Sequence, residues 1–181
     1  MNAQALARAQ REGNATHSDV ADAIQGLSAG GAPSEEVRAA ASFLKTQFID
    51  EGFTIVACEW MLAAEESGAP ILAGTIDLLL RGPTGEHVLV DWKRTLSFGR
   101  KPIGQYDLVE RDAYSMQLSL YAYILERHYD IQVTRGFVVG LKDGMAGAAH
   151  APISLSTPSG IHSFYACALA ASLARSVESH V

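Results

Sequence analysis

Asp77 closes the stretch Gly74-Thr75-Ile76-Asp77, and Asp91-Trp92-Lys93 follows a little further on. Carboxylates are hard oxygen donors of the kind that hold magnesium or manganese. Charges set into apolar strands are costly unless they are paired or bound to a metal. A divalent cation with an ammonium beside it suits phosphodiester hydrolysis. The cation lowers the pKa of a water, and the lysine orients that water or stabilises charge in the phosphorane-like transition state. The Trp92 carbonyl could also turn toward the cation. Taken alone, Asp91 and Lys93 read more readily as a salt bridge on an exposed strand edge.

The elements that must position these residues can be read from periodicity and turn signals. Ile71 to Leu80, apolar apart from Thr75 and Asp77, is one strand, and His87 to Lys93 is the next. Gly82-Pro83-Thr84-Gly85 between them makes the pair a hairpin. Residues i and i+2 of a strand share a face, so Asp91 and Lys93 reach one site while Trp92 turns to the other face. Phe53 to Leu62 is a further strand, with Glu59 on it. Upstream, Thr16 to Leu27 is a short helix ended by Ser28-Ala29-Gly30-Gly31. Ser34 caps a second helix that runs to about Glu51, with Val37, Phe43, Leu44, Phe48 and Ile49 as its apolar stripe and Gly52 as its stop. Leu96 to Val109, with Gly99, Pro102 and Gly104, has no period and is expected to be a loop that could form a flap. Ala113 to Tyr129 is the clearest helix. Ile131 to Leu141 and Ala148 to Leu155 are strands, and Thr157-Pro158 opens a last helix to about Glu178. This order predicts an α/β (α+β) fold with a central mixed β-sheet flanked by helices, in a single domain over residues 1–181.

Composition bounds the function classes. Of 181 residues, 48% are hydrophobic and 19% charged, which is globular rather than disordered. No apolar run is long enough for a bilayer, and Met1 to Gly13 lacks the apolar region of a secretory signal. The expectation is therefore a cytoplasmic, nucleoid, viral or organellar-matrix protein without a membrane partner. Cys58 and Cys167 are too few for a four-cysteine zinc or iron–sulfur site. The formal net charge of -6 argues against a general nucleic-acid binder. Yet Lys93, Arg94, Arg100 and Lys101 gather in one short segment with Phe98 and Tyr106. That segment reads either as a holder of a phosphate backbone or as a solvated loop.

Gly74-Thr75-Ile76-Asp77, Asp91-Trp92-Lys93 and Gln117-Leu118-Ser119-Leu120-Tyr121, preceded by Gly13-Asn14-Ala15-Thr16-His17, resemble the PD-(D/E)xK nuclease superfamily. The resemblance is to its RecB-like exonuclease branch, with a G-x-x-D strand, a D-x-K strand and a Q-x-x-x-Y helix in that order. It runs from about Gly13 to Leu141; each element is weak singly, and four in order are specific. It implies a restriction-endonuclease-like core and a magnesium- or manganese-dependent DNA hydrolase. Asp77 and Asp91 would ligate the metal with the Trp92 carbonyl, His17 would be a further ligand, and Lys93 would be the catalytic lysine. Glu59 matches an acidic residue on the preceding strand and could hold a second metal through water. Gln117 and Tyr121, four apart on one helix face, would contact the DNA backbone or support the lysine.

Plainer readings stand beside these. His17 could be an exposed helix-start histidine, Glu59 solvent-facing, Gln117 solvated and Tyr121 core. Tyr114, Tyr123 and Tyr129 are assigned to packing or surface. The expected activity is exonucleolytic, from single-stranded or frayed DNA ends, with Arg94, Arg100 and Lys101 helping Gln117 and Tyr121 to position the strand. Alternatives are a structure- or sequence-specific endonuclease of repair or restriction, and a non-catalytic DNA-binding module on a nuclease scaffold. A helicase, polymerase or single-strand-binding protein is the kind of partner that would recruit it.

Overall fold

The computed structural model describes residues 15–24, 26, 32–66, 69–94, 108–141 and 148–153. The expected final helix, Arg100 and Lys101 lie outside these residues. Helix α1 spans 15–24, and α2 spans Glu35–Leu44, continuing as a π-helical turn over Lys45–Ile49. Strands β1 (Thr54–Glu66), β2 (Ala69–Arg81) and β3 (His87–Arg94) precede helix α3 (Leu108–Tyr129). Strands β4 (Val133–Leu141) and β5 (Ala148–Ile153) follow. The sheet order is β1-β2-β3-β4-β5. Neighbours are antiparallel except β3 and β4, which are parallel. A parallel neighbour cannot be reached by a tight turn, and α3 is the crossover that joins this pair. The result is the mixed sheet flanked by helices of a restriction-endonuclease-like α/β core. Among the described residues no helix is long and apolar enough to cross a membrane.

Local chemistry explains the element ends. The Ser34 hydroxyl accepts the Val37 N–H at 3.3 Å, and Glu35 and Glu36 occupy the positive end of α2. Gly52, at φ 86°, closes the helical turn, where a side chain would be strained. The expected stripe on this helix is corrected at one position: Phe48 is buried but Ile49 is 39% exposed. Ile49 is the last residue of the π-helical turn, whose wider winding departs from the α-helical period that the stripe assumed. Helix α1 is described to residue 24, with Gly26 in a turn, and α3 begins at Leu108, so the last two residues of the anticipated loop are helical. The β2–β3 turn is tied by the Gly85 N–H to the Gly82 carbonyl at 3.0 Å, with Gly85 at φ 93°.

The sheet is buried on both faces. Leu78, Leu80, Val88, Val90 and Trp92 pack with Val37, Phe43 and Phe48 beneath α1 and α2. Leu79, Leu89 and Val138 pack with Leu118, Ile124 and Leu125 of α3. Two burying faces are why Leu78-Leu79-Leu80 and Val88-Leu89-Val90 are continuous apolar runs rather than alternating ones.

Two irregularities prepare the site. Strands β2 and β3 pair only over Leu78–Arg81 and His87–Val90. Beyond Leu78 and Val90 they part, while β1 stays with β2 to the Glu66–Ala69 pair and β3 with β4 to Arg94–Leu141. The side-chain alternation also breaks. Ile76 packs on the α3 side but Leu78 and Leu80 on the other, a reversal centred on Asp77. In β1, Ala57 and Trp60 pack on the α3 side and Cys58 on the other, a reversal centred on Glu59, whose φ is 46°. Cys58 pairs with Leu78 and Trp60 with Ile76, so Glu59 and Asp77 stand across from each other.

Candidate active site

The parting of β2 and β3 brings charged groups together from both faces of the sheet. Asp77, 7% exposed, is fixed from one side by the Trp92 N–H, which donates to Oδ2 at 2.7 Å. In an unbroken ladder that N–H would serve a backbone carbonyl; here the carboxylate takes its place. His17, on α1, brings Nδ1 to 3.3 Å from Asp77 Oδ1. Donor atoms of His17, Glu59 and Asp77 all lie within 4.8 Å of one another. One imidazole and two carboxylates at that spacing suit a hard or borderline divalent ion.

Asp91 and Lys93 enter from the α3 side, two and four residues along the strand from Leu89. Lys93 Nζ lies 2.7 Å from Asp91 Oδ2. The approach is angled, so that Asp91 Oδ2 is, among the described residues, a buried oxygen without a directed hydrogen bond. This pair is not on an exposed edge: Asp91 is 3% exposed and β3 is the third of the five strands. Trp92 turns the other way, with its ring edge-to-face on Phe43 at 6.3 Å.

Electrostatics matches the geometry. Burial pushes the Asp91 carboxyl up to about 6, against the pull of Lys93 and with the help of Asp77. Burial also raises Glu59, and Asp77 opposite it adds to the effect. His17 is pushed down by burial, but the hydrogen-bonded Asp77 and the more distant Glu59 and Asp91 outweigh this and leave it raised. Lys93, depressed by burial, is raised overall by the Asp91 anion. Glu59, Asp77 and Asp91 outnumber the Lys93 ammonium and the His17 imidazole, an excess of carboxylate that a divalent cation would balance. The residues therefore fit such an ion. His17, Glu59 and Asp77 form one tight set, whereas Asp91 faces it across the gap and is engaged with Lys93.

On α3, Gln117 donates to the Tyr121 hydroxyl at 3.1 Å. Tyr121 lies against Gly74 so closely that a Cβ there would meet Tyr121 Cε1 at 2.7 Å. This gives the glycine three residues before Asp77 a steric reason. Tyr114, assigned to packing or surface by its sequence context, has its ring under the Lys93 ammonium at 5.5 Å. Its spacing carried the signal: three before Gln117 and seven before Tyr121, it shares their helix face. Arg94 is the last residue of β3.

A family model described as the PD-(D/E)XK nuclease superfamily matches residues 2–158. No curated protein matches the sequence. Among solved structures, the chain is similar to the crystal structure of SSO0001, at 17% identity and TM-score 0.40, over 69% of this chain and 50% of that one. It is also similar to a candidate exonuclease from Eubacterium rectale, at 14% identity and TM-score 0.48, over 86% of this chain and 63% of that one. The chain thus spans half to just under two-thirds of these solved proteins. The family match takes in every strand of the sheet and every residue of the charged cluster, from His17 to Lys93. On that match, this chain belongs to the PD-(D/E)XK nuclease superfamily.

Proposed function

We propose that the protein is a magnesium- or manganese-dependent deoxyribonuclease of the RecB-like branch, acting as an exonuclease on single-stranded or frayed DNA ends. One observation carries the proposal: His17, Glu59 and Asp77 converge with Asp91 and Lys93 in the gap where β2 and β3 part. The order of His17, Asp77, Asp91-Trp92-Lys93 and Gln117–Tyr121 along the chain supports the branch.

When bound, a divalent cation supplies Lewis acidity toward a phosphoryl oxygen and lowers the pKa of water at the site. His17, Glu59 and Asp77 would hold it from one side of the gap and Asp91 from the other. Lys93, kept as an ammonium by the Asp91 anion, donates to a phosphate oxygen and stabilises charge that grows in the transition state. Gln117 and Tyr121 position the DNA backbone, with Arg94, Arg100 and Lys101, which follow Lys93 in the sequence, as the basic contributors.

The test uses linear single-stranded DNA, blunt duplex and closed circles, labelled at either end in turn, with magnesium or manganese. Linear substrates are expected to shorten from an end while circles persist. Asp91→Ala and Lys93→Ala are each expected to slow hydrolysis by roughly 100-fold or more. Cleaved circles would shift the assignment to an endonuclease, and variants as fast as the parent would remove it.

A further inference from the structure

Lys93 has a second restraint besides Asp91. Its ammonium lies over the Tyr114 ring, 5.5 Å from the centroid, within the range at which the negative face of an aromatic ring attracts a cation. Both groups are sheltered: Lys93 is 23% exposed and Tyr114 is half-buried. Desolvation strengthens such a contact. Tyr114 also belongs to a row. Across the gap where the strands part, it reaches Lys93 of β3, while Tyr121, two turns along α3, rests on Gly74 of β2. Gln117 between them is bonded to Tyr121. One helix face is thereby seated on both halves of the split sheet.

The two restraints on Lys93 respond differently to a cation. Asp91 Oδ2 lies 2.7 Å from the ammonium, and an ion drawing on Asp91 competes for that oxygen and repels Lys93. The Tyr114 ring has no such conflict, because it neither ligates nor bears a charge at neutral pH. We infer that Tyr114 is the positioning residue that keeps the Lys93 ammonium at the reaction centre once Asp91 is engaged by a divalent cation. The inference rests on the nuclease reading above; Tyr114 touches no reacting atom and acts through Lys93.

The test compares Tyr114→Phe and Tyr114→Leu with the parent. Phe keeps the ring face and is expected to retain kcat within about twofold, whereas Leu is expected to lower kcat by roughly 3- to 30-fold with KM unchanged. In a Lys93→Ala background, Tyr114→Leu is expected to cost nothing further. A readout independent of activity is the ring-current shift of the Lys93 ε-methylene protons in the metal-free protein, present in the parent and in Tyr114→Phe and lost in Tyr114→Leu. Should Tyr114→Leu not fold, pentafluorophenylalanine at position 114 keeps the shape and reverses the ring quadrupole, with the same loss expected in kcat. Parent-like kcat in the Leu or fluorinated protein, an equal loss in Phe, or losses that add to that of Lys93→Ala would each overturn the inference. A parent that hydrolyses no DNA would remove the nuclease reading, while the ring-current shift still decides whether Tyr114 holds Lys93.

Discussion

At Asp91, burial and the Lys93 ammonium pull in opposite directions, and burial wins. The carboxyl is raised to about 6, so the fold holds its proton to a higher pH than a free carboxylate while leaving it an anion at neutral pH. In the metal-free protein, the stability this group contributes is fully present below the unfolded carboxylate value of about 4 and is lost as pH rises through about 6. Glu59, raised by burial and by Asp77, has the same sign. So does His17, which Asp77 raises despite its burial. At each of the three, protons compete with a cation more strongly than at a free side chain, so binding strengthens as pH rises. The increase in Tm on adding manganese is therefore expected to be larger at about pH 8 than at about pH 5.5, which thermal unfolding with and without the metal measures. Equal increases at both values would mean that the ion binds elsewhere. At this scale much was legible. Asp77, Asp91 and Lys93 stand out because charges are out of place in apolar strands, whereas a helical tyrosine such as Tyr114 looks the same whether it packs in a core or faces an ammonium.

Strand extents follow from composition, and β2 and β3 run within a few residues of their apolar boundaries. The breaks in alternation at Glu59 and Asp77 do not show in the sequence, because apolar residues lie on both sides of each and either face is buried. Glu59 holds a φ of 46° inside a strand, a conformation that costs a non-glycine residue about 1–2 kcal/mol, and it faces the Asp77 carboxylate. Glu59→Gly removes both penalties. The metal-free protein is then expected to gain about 1 kcal/mol in urea unfolding, while manganese affinity falls. A loss of stability would show that the strand does not need Glu59 in this conformation. Gly74 marks the opposite case, where the element depends on a missing side chain. A Cβ there would lie 2.9 Å from the Tyr121 hydroxyl, and displacing that half-buried ring would also break its bond with Gln117. Gly74→Ala is expected to cost about 1–3 kcal/mol, and to cost almost nothing in a Tyr121→Ala background. Equal costs in both backgrounds would trace the damage to the strand itself.

For the molecule as a whole, the ordering of helices, strands and the long helix implied a mixed sheet, and the parallel pairing of β3 with β4 is what lets α3 cross the face that carries Asp91 and Lys93. The parting of β2 from β3 is a tertiary outcome and leaves no mark on local propensity. It is nonetheless what allows α1 on one face and α3 on the other to serve one centre. Under the proposed function the same arrangement poses an electrostatic problem. The chain carries a formal charge of -6, and its centre adds further carboxylates where, on that proposal, a phosphate would sit. One unit charge acting on another at about 4 Å is worth about 1 kcal/mol even in water, so a divalent ion there changes the balance by about 2 kcal/mol, more than tenfold in affinity. Calcium takes oxygen ligands readily and is a weaker Lewis acid than magnesium, so it can separate binding from hydrolysis. Fluorescence anisotropy with labelled single-stranded DNA is expected to show at least roughly tenfold tighter binding in calcium than in chelator at matched ionic strength. Asp77→Ala is expected to abolish that difference, because it removes the carboxylate that both His17 and Glu59 face. If the parent binds DNA equally with and without calcium, the phosphate backbone does not run over this centre, and the basic segment beyond β3 must carry the DNA away from it.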